Sequence, residues 1–468
     1  MKSLPLPFKA RAKSIFLFTA AVSMAAYPVA AQVRPMGVPS ARTAKPPVVA
    51  KPATPAPDAP VPGNPDYAPD AETQVVPVPA PLPPPVWDLM SLQQLLTYIH
   101  GIGADGLDPE DYDPEGLAAI MQTGDPVAIS AAATERFNRV SGDLALGHVK
   151  PVARTDWYGT DNDLDAASQD ALLRGALASH NIRGALDGLL PSHPQYAALK
   201  AALAATPATD TAKRDKIRLN LDRWRWLPRD LGQKYIIVNV PGFHATLVEN
   251  GVNRWKQKAI AGKRSTPTPQ LSATAVGVIL NPAWNVPKSI EKEAAGKKGF
   301  IPIKNADGKT LYWQQPPGPT NALGRIKFVM PNSQAIYLHD TNARSRFNDS
   351  VRALSHGCIR TQHILDLATE LLGDDGGTWT PDRIQAALDS KKTVRANFVK
   401  SLPVYIVYFS QAALNDGRII DYKDLYGRDP KATAALDMKD GGASFGKPKQ
   451  EQAAPKAKAK TADQVATR

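Results

Sequence analysis

The chain has 468 residues, with 56 Lys and Arg against 44 Asp and Glu, which gives a formal net charge of +12. It contains 43 prolines and 8 histidines but only 1 cysteine, which excludes an intrachain disulfide framework. The positive charge alone would suit a nucleic-acid-binding protein. The chain nevertheless has no zinc-finger spacing or other recognisable nucleic-acid motif, and we expect no nucleic-acid partner.

Residues 1–31 have the three parts of a secretory signal peptide. Positive charges come first, at Lys2, Lys9, Arg11 and Lys13. An apolar run follows at residues 14–26, SIFLFTAAVSMAA, and small residues then precede a cleavage point before Gln32. Because this run is shorter than a comfortable membrane span, we expect cleavage, export and no stable span in the mature protein. An uncleaved anchor is the alternative.

Two segments have compositions that do not favour a packed core. Residues 32–85 are rich in Pro, Ala and Val, and proline lacks the amide hydrogen that helices and sheets need. Residues 430–468 form a Lys/Ala tail that ends in KPKQEQAAPKAKAKTADQVATR. We expect a semi-extended linker and a disordered tail. The basic ends would be either solvated flexible segments or segments that adhere weakly to anionic polymers of the envelope.

The first of two folded regions, residues 86–205, shows helical periodicity. Apolar residues recur there at steps of three and four, as at Leu89, Leu92, Leu95, Leu96 and Ile99. A second helical stretch runs from residue 128 and is predicted to end at Gly147. The acidic residues of this region lie in turns or on helix faces, and nothing in it indicates chemistry.

The second folded region, residues 216–429, is rich in strand patterns. The predicted strands are KYIIVNV (234–240), AVGVILNP (275–282), KFVMP (327–331), AIYLHDT (335–341) and PVYIVYF (403–409). Asn250-Gly251 predicts a tight hairpin turn, and Asp416-Gly417 another turn. Two helices come late, at 361–373 and from the cap Thr380 onwards. The fold class is therefore α+β, with a helical region followed by a strand-rich domain.

The sole cysteine, Cys358, lies in the stretch LSHGCIRTQ, two residues after His356, and His339 ends a predicted strand. A helix predicted to begin near Thr361 would lower the thiol pKa through its unpaired amides, and amides around Gly357 would face a developing oxyanion. Three interpretations fit these residues. They are a buried structural cysteine, a zinc site made by the two histidines and the thiol, and covalent acyl transfer.

The wider pattern resembles the murein L,D-transpeptidase family, in its large periplasmic subgroup with a scaffold domain. The resemblance rests on His339, the Ser355-His356-Gly357-Cys358 run that follows after 15 intervening residues, and Arg360. The stretches NLDRWRWLPRDLGQKYIIVNVPGF, ILNPAWNVPKSI and DYKDLYGRD extend it over about 216–429, and GDLALGHVKP extends it more loosely into the helical region. It implies an L,D-transpeptidase-type β-sandwich domain with a few packed helices.

The resemblance also implies a mechanism. Cys358 would attack the carbonyl between diaminopimelate and the terminal D-alanine of a tetrapeptide donor, and the amine of an acceptor diaminopimelate would resolve the thioester. His339 matches the proton carrier, oriented by the backbone near Asp340, and His356 a supporting histidine. Substrate contacts are expected at Arg360, Gly357, Ser355 and Asp340. The family implies no metal or organic cofactor, a cell-wall-associated location and acylation by carbapenems.

The sequence departs from the family in three places. One is the segment at the position of the family's lid, from Val286 to Arg325, which is short, lysine-rich and polar. The peptidoglycan-binding module often found before the catalytic domain is not recognisable here, and Asp340 stands where glycine is frequent. Two other functions remain open. One is an L,D-carboxypeptidase, in which water replaces the acceptor amine, and the other is a non-catalytic peptidoglycan-binding protein.

Overall fold

The computed structural model describes residues 82–160, 163–414 and 418–445. The predicted signal peptide, nearly all of the predicted linker and the turn at 416–417 lie outside these residues, as do residues 446–468. Within the described ranges, no helix combines the length and the apolar character needed to cross a bilayer.

The N-terminal region is helical, as predicted. Its helices are α1 (Leu89–Gly101), α2 (Pro114–Gln122), α3 (Pro126–Leu146), α4 (Ala166–Ala178), α5 (Ile182–Asp187), α6 (Pro194–Ala205) and α7 (Thr211–Arg225). Local chemistry sets their ends: the Asp125 carboxylate accepts the first amides of α3, and Gly147 at φ +87° ends it, as predicted. Leu95, Ile99 and Phe137 are fully buried in the core of this region.

The second region is built mainly from strands. They are β1 (Trp157–Tyr158), β2 (Lys234–Asn239), β3 (His244–Glu249), β4 (Val252–Gly262), β5 (Gln270–Leu280), β6 (Trp284–Asn285), β7 (Ile301–Lys304), β8 (Thr310–Gln315), β9 (Ile326–Val329), β10 (Leu338–His339), β11 (Ala353–Ser355), β12 (Ile359–Thr361), β13 (Val394–Val407), β14 (Gln411–Ala413) and β15 (Ile419–Asp421). Asn250 and Gly251 both have positive φ between β3 and β4, which confirms the predicted hairpin.

The large sheet closes on itself. Its strand order is β1-β5-β13-β2-β3-β4-β12-β10-β9, β11 pairs with β4, and β9 also pairs with β5. The expected sandwich thus takes the form of one continuous sheet rather than two separate ones. Its interior is an aliphatic core that includes Ile236, Leu247, Val278 and Ile359.

Four helices accompany the strands: α8 (Glu291–Ala294), α9 (Ile364–Asp374), α10 (Pro381–Asp389) and α11 (Asp429–Leu436). The strands β6, β8 and β7 form a separate three-stranded sheet that, together with α8, makes up residues 284–315. We call these residues the lid, because α8 contacts the loop that carries Cys358. The lid has its own small core, which includes Val286 and Ile290.

Two predicted elements near Cys358 are wrong in extent. The helix expected near Thr361 begins at Ile364, because residues 359–361 instead form β12. The strand expected at 335–341 shrinks to Leu338–His339, because Ala335 has φ +52° and the Asn332 side chain holds the preceding turn through Ile336.

The predicted start of the disordered tail at residue 430 is also wrong. Residues 429–436 form α11, and a short 3-10 helix follows at residues 443–445. Leu436 is buried in a cluster with Leu219 and Trp226, so this segment contributes to the fold. The rest of the predicted tail, from 446, lies outside the described residues.

Candidate active site

The loop that presents Cys358 is fixed by hydrogen bonds on both sides. The Ser355 hydroxyl donates to the Cys358 carbonyl oxygen (2.6 Å) and accepts the Gly357 amide (3.1 Å). From the neighbouring segment, the Thr268 hydroxyl donates to the Gly357 carbonyl oxygen (2.7 Å). Gly357 has φ +114°, a conformation open to glycine, and a Cβ there would lie 3.2 Å from Ile336 Cδ1. The loop is therefore held in one conformation.

The DYKDLYGRD stretch, residues 421–429, holds the two segments that neighbour this loop. The Tyr426 hydroxyl donates to the Gly262 carbonyl oxygen (2.6 Å), and Arg428 donates to the Thr268 carbonyl oxygen (2.9 Å). Arg428 also pairs with Asp156 (2.6 Å) at the edge of the helical region. These bonds link the helical region to the segment that holds Gly357.

Three adjacent strands bring basic side chains together beside Cys358. His339 on β10 pairs in register with Arg360 on β12 and with Lys327 on β9. Residues in register on neighbouring strands project on the same face of a sheet. Cys358, two residues before Arg360, projects on this face as well, and the charges of Lys327 and Arg360 act on its thiol.

His339 is uncharged at neutral pH in this site. Burial lowers its pKa to about 3, and the positive charges of Arg360 and Lys327 act in the same direction. Its side chain is only 4% exposed, and Nδ1 makes no hydrogen bond of good geometry to any described residue. The nearby Asp340 backbone favours the charged form of His339, but this effect offsets only part of the lowering of its pKa. A neutral imidazole beside a thiol can accept its proton.

Burial raises the pKa of the Cys358 thiol, while a hydrogen bond from Tyr337 and the charges of Lys327 and Arg360 oppose that shift. The Sγ lies 3.8 Å from the Ala335 carbonyl oxygen. The predicted contribution of a helix N-terminus is wrong, because β12 separates Cys358 from α9. The resting site thus holds a neutral thiol whose ionisation depends on nearby cations.

Two residues of this site were not singled out by the sequence. Tyr337 lies beside the thiol and its ring is 5.5 Å from that of His339. Strand alternation did place Tyr337 and His339 on one face, which was a usable signal. Lys327 reaches the site only through strand pairing, and its Nζ lies 4.1 Å from the Tyr337 ring centroid. No local motif marks it.

His356 turns toward the lid. Its Nε2 lies 3.1 Å from Glu293 Oε1 on α8 and 3.2 Å from Lys263 Nζ. In the described parts of the chain, no three His, Cys, Asp or Glu side chains are grouped so as to hold a metal ion. The geometry therefore gives no support to a zinc site formed by His339, His356 and Cys358.

The four predicted substrate contacts have different surroundings. The Asp340 carboxylate accepts the Arg325 amide (2.9 Å) and pairs with Arg344 (3.0 Å), so it holds the backbone before β9. Ser355 and the Gly357 amide bond to each other, which contradicts the expectation that this amide faces an oxyanion. Arg360 is different, because its buried Nε has no partner among the described residues.

Comparisons with known proteins agree with this architecture. Residues 233–405 match the family model of the L,D-transpeptidase catalytic domain (YkuD), and residues 85–203 match that of the Scaffold domain. A protein of Haemophilus influenzae named "Putative L,D-transpeptidase" is 32% identical over 245 residues. The alignment covers 47% of this chain and 49% of that protein, so the chain spans about half the length of this relative.

Solved structures overlap the chain more distantly. An L,D-transpeptidase from Mycobacterium smegmatis has 17% identity and a TM-score of 0.20, covering 37% of this chain and 58% of that one. Mycobacterium tuberculosis L,D-transpeptidase 1 has 17% identity and a TM-score of 0.18, covering 37% and 61%. Overlaps at these scores add nothing to the assignment. On these matches, residues 85–203 are similar to a scaffold domain and residues 233–405 to the L,D-transpeptidase catalytic domain.

Proposed function

We propose that this protein is an exported peptidoglycan L,D-transpeptidase that joins two diaminopimelate residues through a thioester on Cys358. The observation that carries the proposal is the shared sheet face of the sole thiol, buried and uncharged His339 and the cations Lys327 and Arg360, within the matched catalytic domain. A nucleophile, a proton acceptor and groups that stabilise negative charge are the parts that acyl transfer requires.

In the first step, the Cys358 sulfur attacks the carbonyl carbon between diaminopimelate and the terminal D-alanine of a tetrapeptide stem. The thiol proton passes to His339 as negative charge develops on the sulfur. When the C–N bond breaks, His339 returns that proton to the departing amine. A thioester remains on Cys358, and D-alanine leaves. Because His339 is a weak base at rest, proton transfer must accompany attack rather than precede it.

In the second step, the side-chain amine of an acceptor diaminopimelate attacks the thioester carbonyl. His339 takes a proton from this amine, and the sulfur leaves as a thiolate that is reprotonated. The product is a peptide cross-link between two third-position residues. Arg360, whose Nε has no partner among the described residues, would meet a carboxylate of the stem peptide.

The same chemistry extends to carbapenems. A carbapenem contains a strained amide, and we infer that Cys358 opens it to leave a covalent adduct. We also propose a periplasmic location and adhesion of the linker and of residues 446–468 to the cell envelope. Both proposals rest on sequence composition alone.

The test is product analysis with purified disaccharide tetrapeptides. Mass spectrometry should detect a cross-linked dimer smaller than two donors by one alanine, and the Cys358→Ala variant should form none. Formation of tripeptides without dimers would replace the transferase by the carboxypeptidase. Binding without either product would support the non-catalytic alternative.

A further inference from the structure

We propose that Lys327 is a positioning residue for this reaction, whose ammonium group, held on Tyr337, supplies the positive charge that favours the thiolate of Cys358. This inference deepens the proposed function, since it assigns a source of thiol activation. It is nevertheless tested by thiol chemistry that requires no peptidoglycan substrate.

Strand pairing places the lysine. β9 runs antiparallel to β10, and Lys327 stands directly opposite His339. Side chains of directly opposite residues lie on one face with Cβ atoms about 4.5–5.5 Å apart. Tyr337 lies two residues before His339 and Cys358 directly precedes β12, on the other side of β10. Lys327 is thus directed to the face on which the thiol lies.

The contact with Tyr337 holds the ammonium group in place. Nζ lies 4.1 Å from the ring centroid, within the range of a cation–π interaction. The Tyr337 side chain in turn interacts with the thiol. The tyrosine therefore connects the cation to the sulfur.

The charge of Lys327 is not neutralised by an acidic neighbour. No Asp or Glu among the described residues forms an ion pair with it, and its side chain is half-buried. Burial lowers its pKa, and the negative charge of a Cys358 thiolate opposes that shift. A half-buried cation without an anion is costly. The developing thiolate is the anion that this position suits.

Two other basic residues near the loop are already engaged. Lys263 contacts His356, and Arg344 pairs with Asp340. Burial lowers the pKa of Arg360, and the positive charge of nearby Arg346 acts in the same direction. Lys327 is therefore the lysine best placed to act on the sulfur.

The experiment measures alkylation of Cys358, the sole thiol of the chain, by neutral iodoacetamide and by anionic iodoacetate across pH. Lys327→Met should raise the thiol pKa by about one unit, the low end of the effect of a nearby opposite charge. It should also lower the iodoacetate-to-iodoacetamide rate ratio several-fold at low salt. Lys327→Arg should retain most of both properties. Lys304→Met, which removes an exposed lid charge, should change neither.

An unchanged pKa and an unchanged rate ratio in folded Lys327→Met would overturn the proposal and leave Lys327 a packing role. If that variant fails to fold, the unsubstituted protein still decides the question. Its rate ratio should exceed that of free cysteine and should fall as salt is added. A ratio equal to that of free cysteine at every salt concentration would overturn the proposal, whatever the outcome with peptidoglycan.

Discussion

At the scale of single residues, the position of Cys358 depends on the glycine before it. Gly357 combines φ +114° with a hydrogen bond at its amide and another at its carbonyl oxygen. A side chain at this φ costs on the order of 1–3 kcal/mol. Relief of that strain requires the loop to move, and movement of the loop displaces the sulfur.

Gly357→Ala should therefore lower the rate of acylation by about tenfold or more, since a strain of ~1.4 kcal/mol already corresponds to a factor of ten. Gly373→Ala, on α9, is the matched control, because an added Cβ there meets nothing within 4 Å. It should leave the acylation rate unchanged. Equal acylation rates in the two variants would show that the loop does not depend on Gly357.

The two histidines should differ in their effects. His339→Ala should lower acylation by about 10²-fold, as loss of a general base does. Because His339 is uncharged at neutral pH, its loss should not raise the thiol pKa. His356→Ala should impair turnover through the loop and lid, because His356 contacts Glu293.

The measurement combines acylation rates with the pH dependence of thiol alkylation in both variants. A rise in the thiol pKa in His339→Ala would mean that an imidazolium stabilises the thiolate at rest. That result would contradict the neutral His339. A loss of acylation only in His356→Ala would assign the base to the other histidine.

At the scale of elements, the lid is joined to the catalytic loop by a polar contact. Glu293 on α8 meets His356, which also meets Lys263 on the strand side. These groups are partly exposed, and such pairs contribute about 0.2–1 kcal/mol. The contact therefore contributes little to the stability of the fold, and we expect it to affect the position of the lid beside the loop of Cys358.

Glu293→Ala should raise KM for the tetrapeptide donor by about two- to fivefold, consistent with a loss of up to ~1 kcal/mol. Alkylation of Cys358 by iodoacetamide should be unaffected. Glu291→Ala is the control, because Glu291 on the same helix pairs with Lys288 instead. Steady-state kinetics of the two variants would contradict a role of the lid contact if their KM values agree.

Sequence predictions that depend on local interactions are accurate, whereas contacts between distant segments of the chain were not predicted. The hairpin at Asn250-Gly251 and the cap at Thr380 depend on local chemistry, and both are confirmed. β12 has three residues, too few for alternation to show, so the helix start was predicted too early. Lys327 and Glu293 reach the site through strand pairing and the lid, and no local pattern encodes either contact.

At the scale of the whole molecule, the C-terminal segment joins the two domains. The Lys150 amide donates to the Gly441 carbonyl oxygen (2.8 Å), and His148 Nε2 lies 2.8 Å from the Met438 carbonyl oxygen. Arg223 on α7 pairs with Asp429 (2.8 Å). The C-terminal segment contains few large apolar residues, so its Lys/Ala-rich composition gave no sign of these contacts.

Truncation after residue 428 should destabilise the protein, since losing a buried leucine such as Leu436 alone costs about 2–5 kcal/mol. Truncation after residue 445 keeps α11 and should leave the thermal midpoint nearly unchanged. Calorimetry of the two truncations checks the boundary. Equal midpoints would show that residues 429–445 do not support the fold.

Acylation of Cys358 by a tetrapeptide stem is the step on which the proposed function depends. The most direct measurement mixes the protein with a disaccharide tetrapeptide, stops the reaction in acid and determines the intact mass and the modified peptide. The expected result is an adduct of the donor minus alanine on the peptide that contains Cys358, which is present early in the reaction and disappears as the cross-linked dimer forms. Turnover that persists in Cys358→Ala, or an adduct on any other residue, would contradict the proposed mechanism.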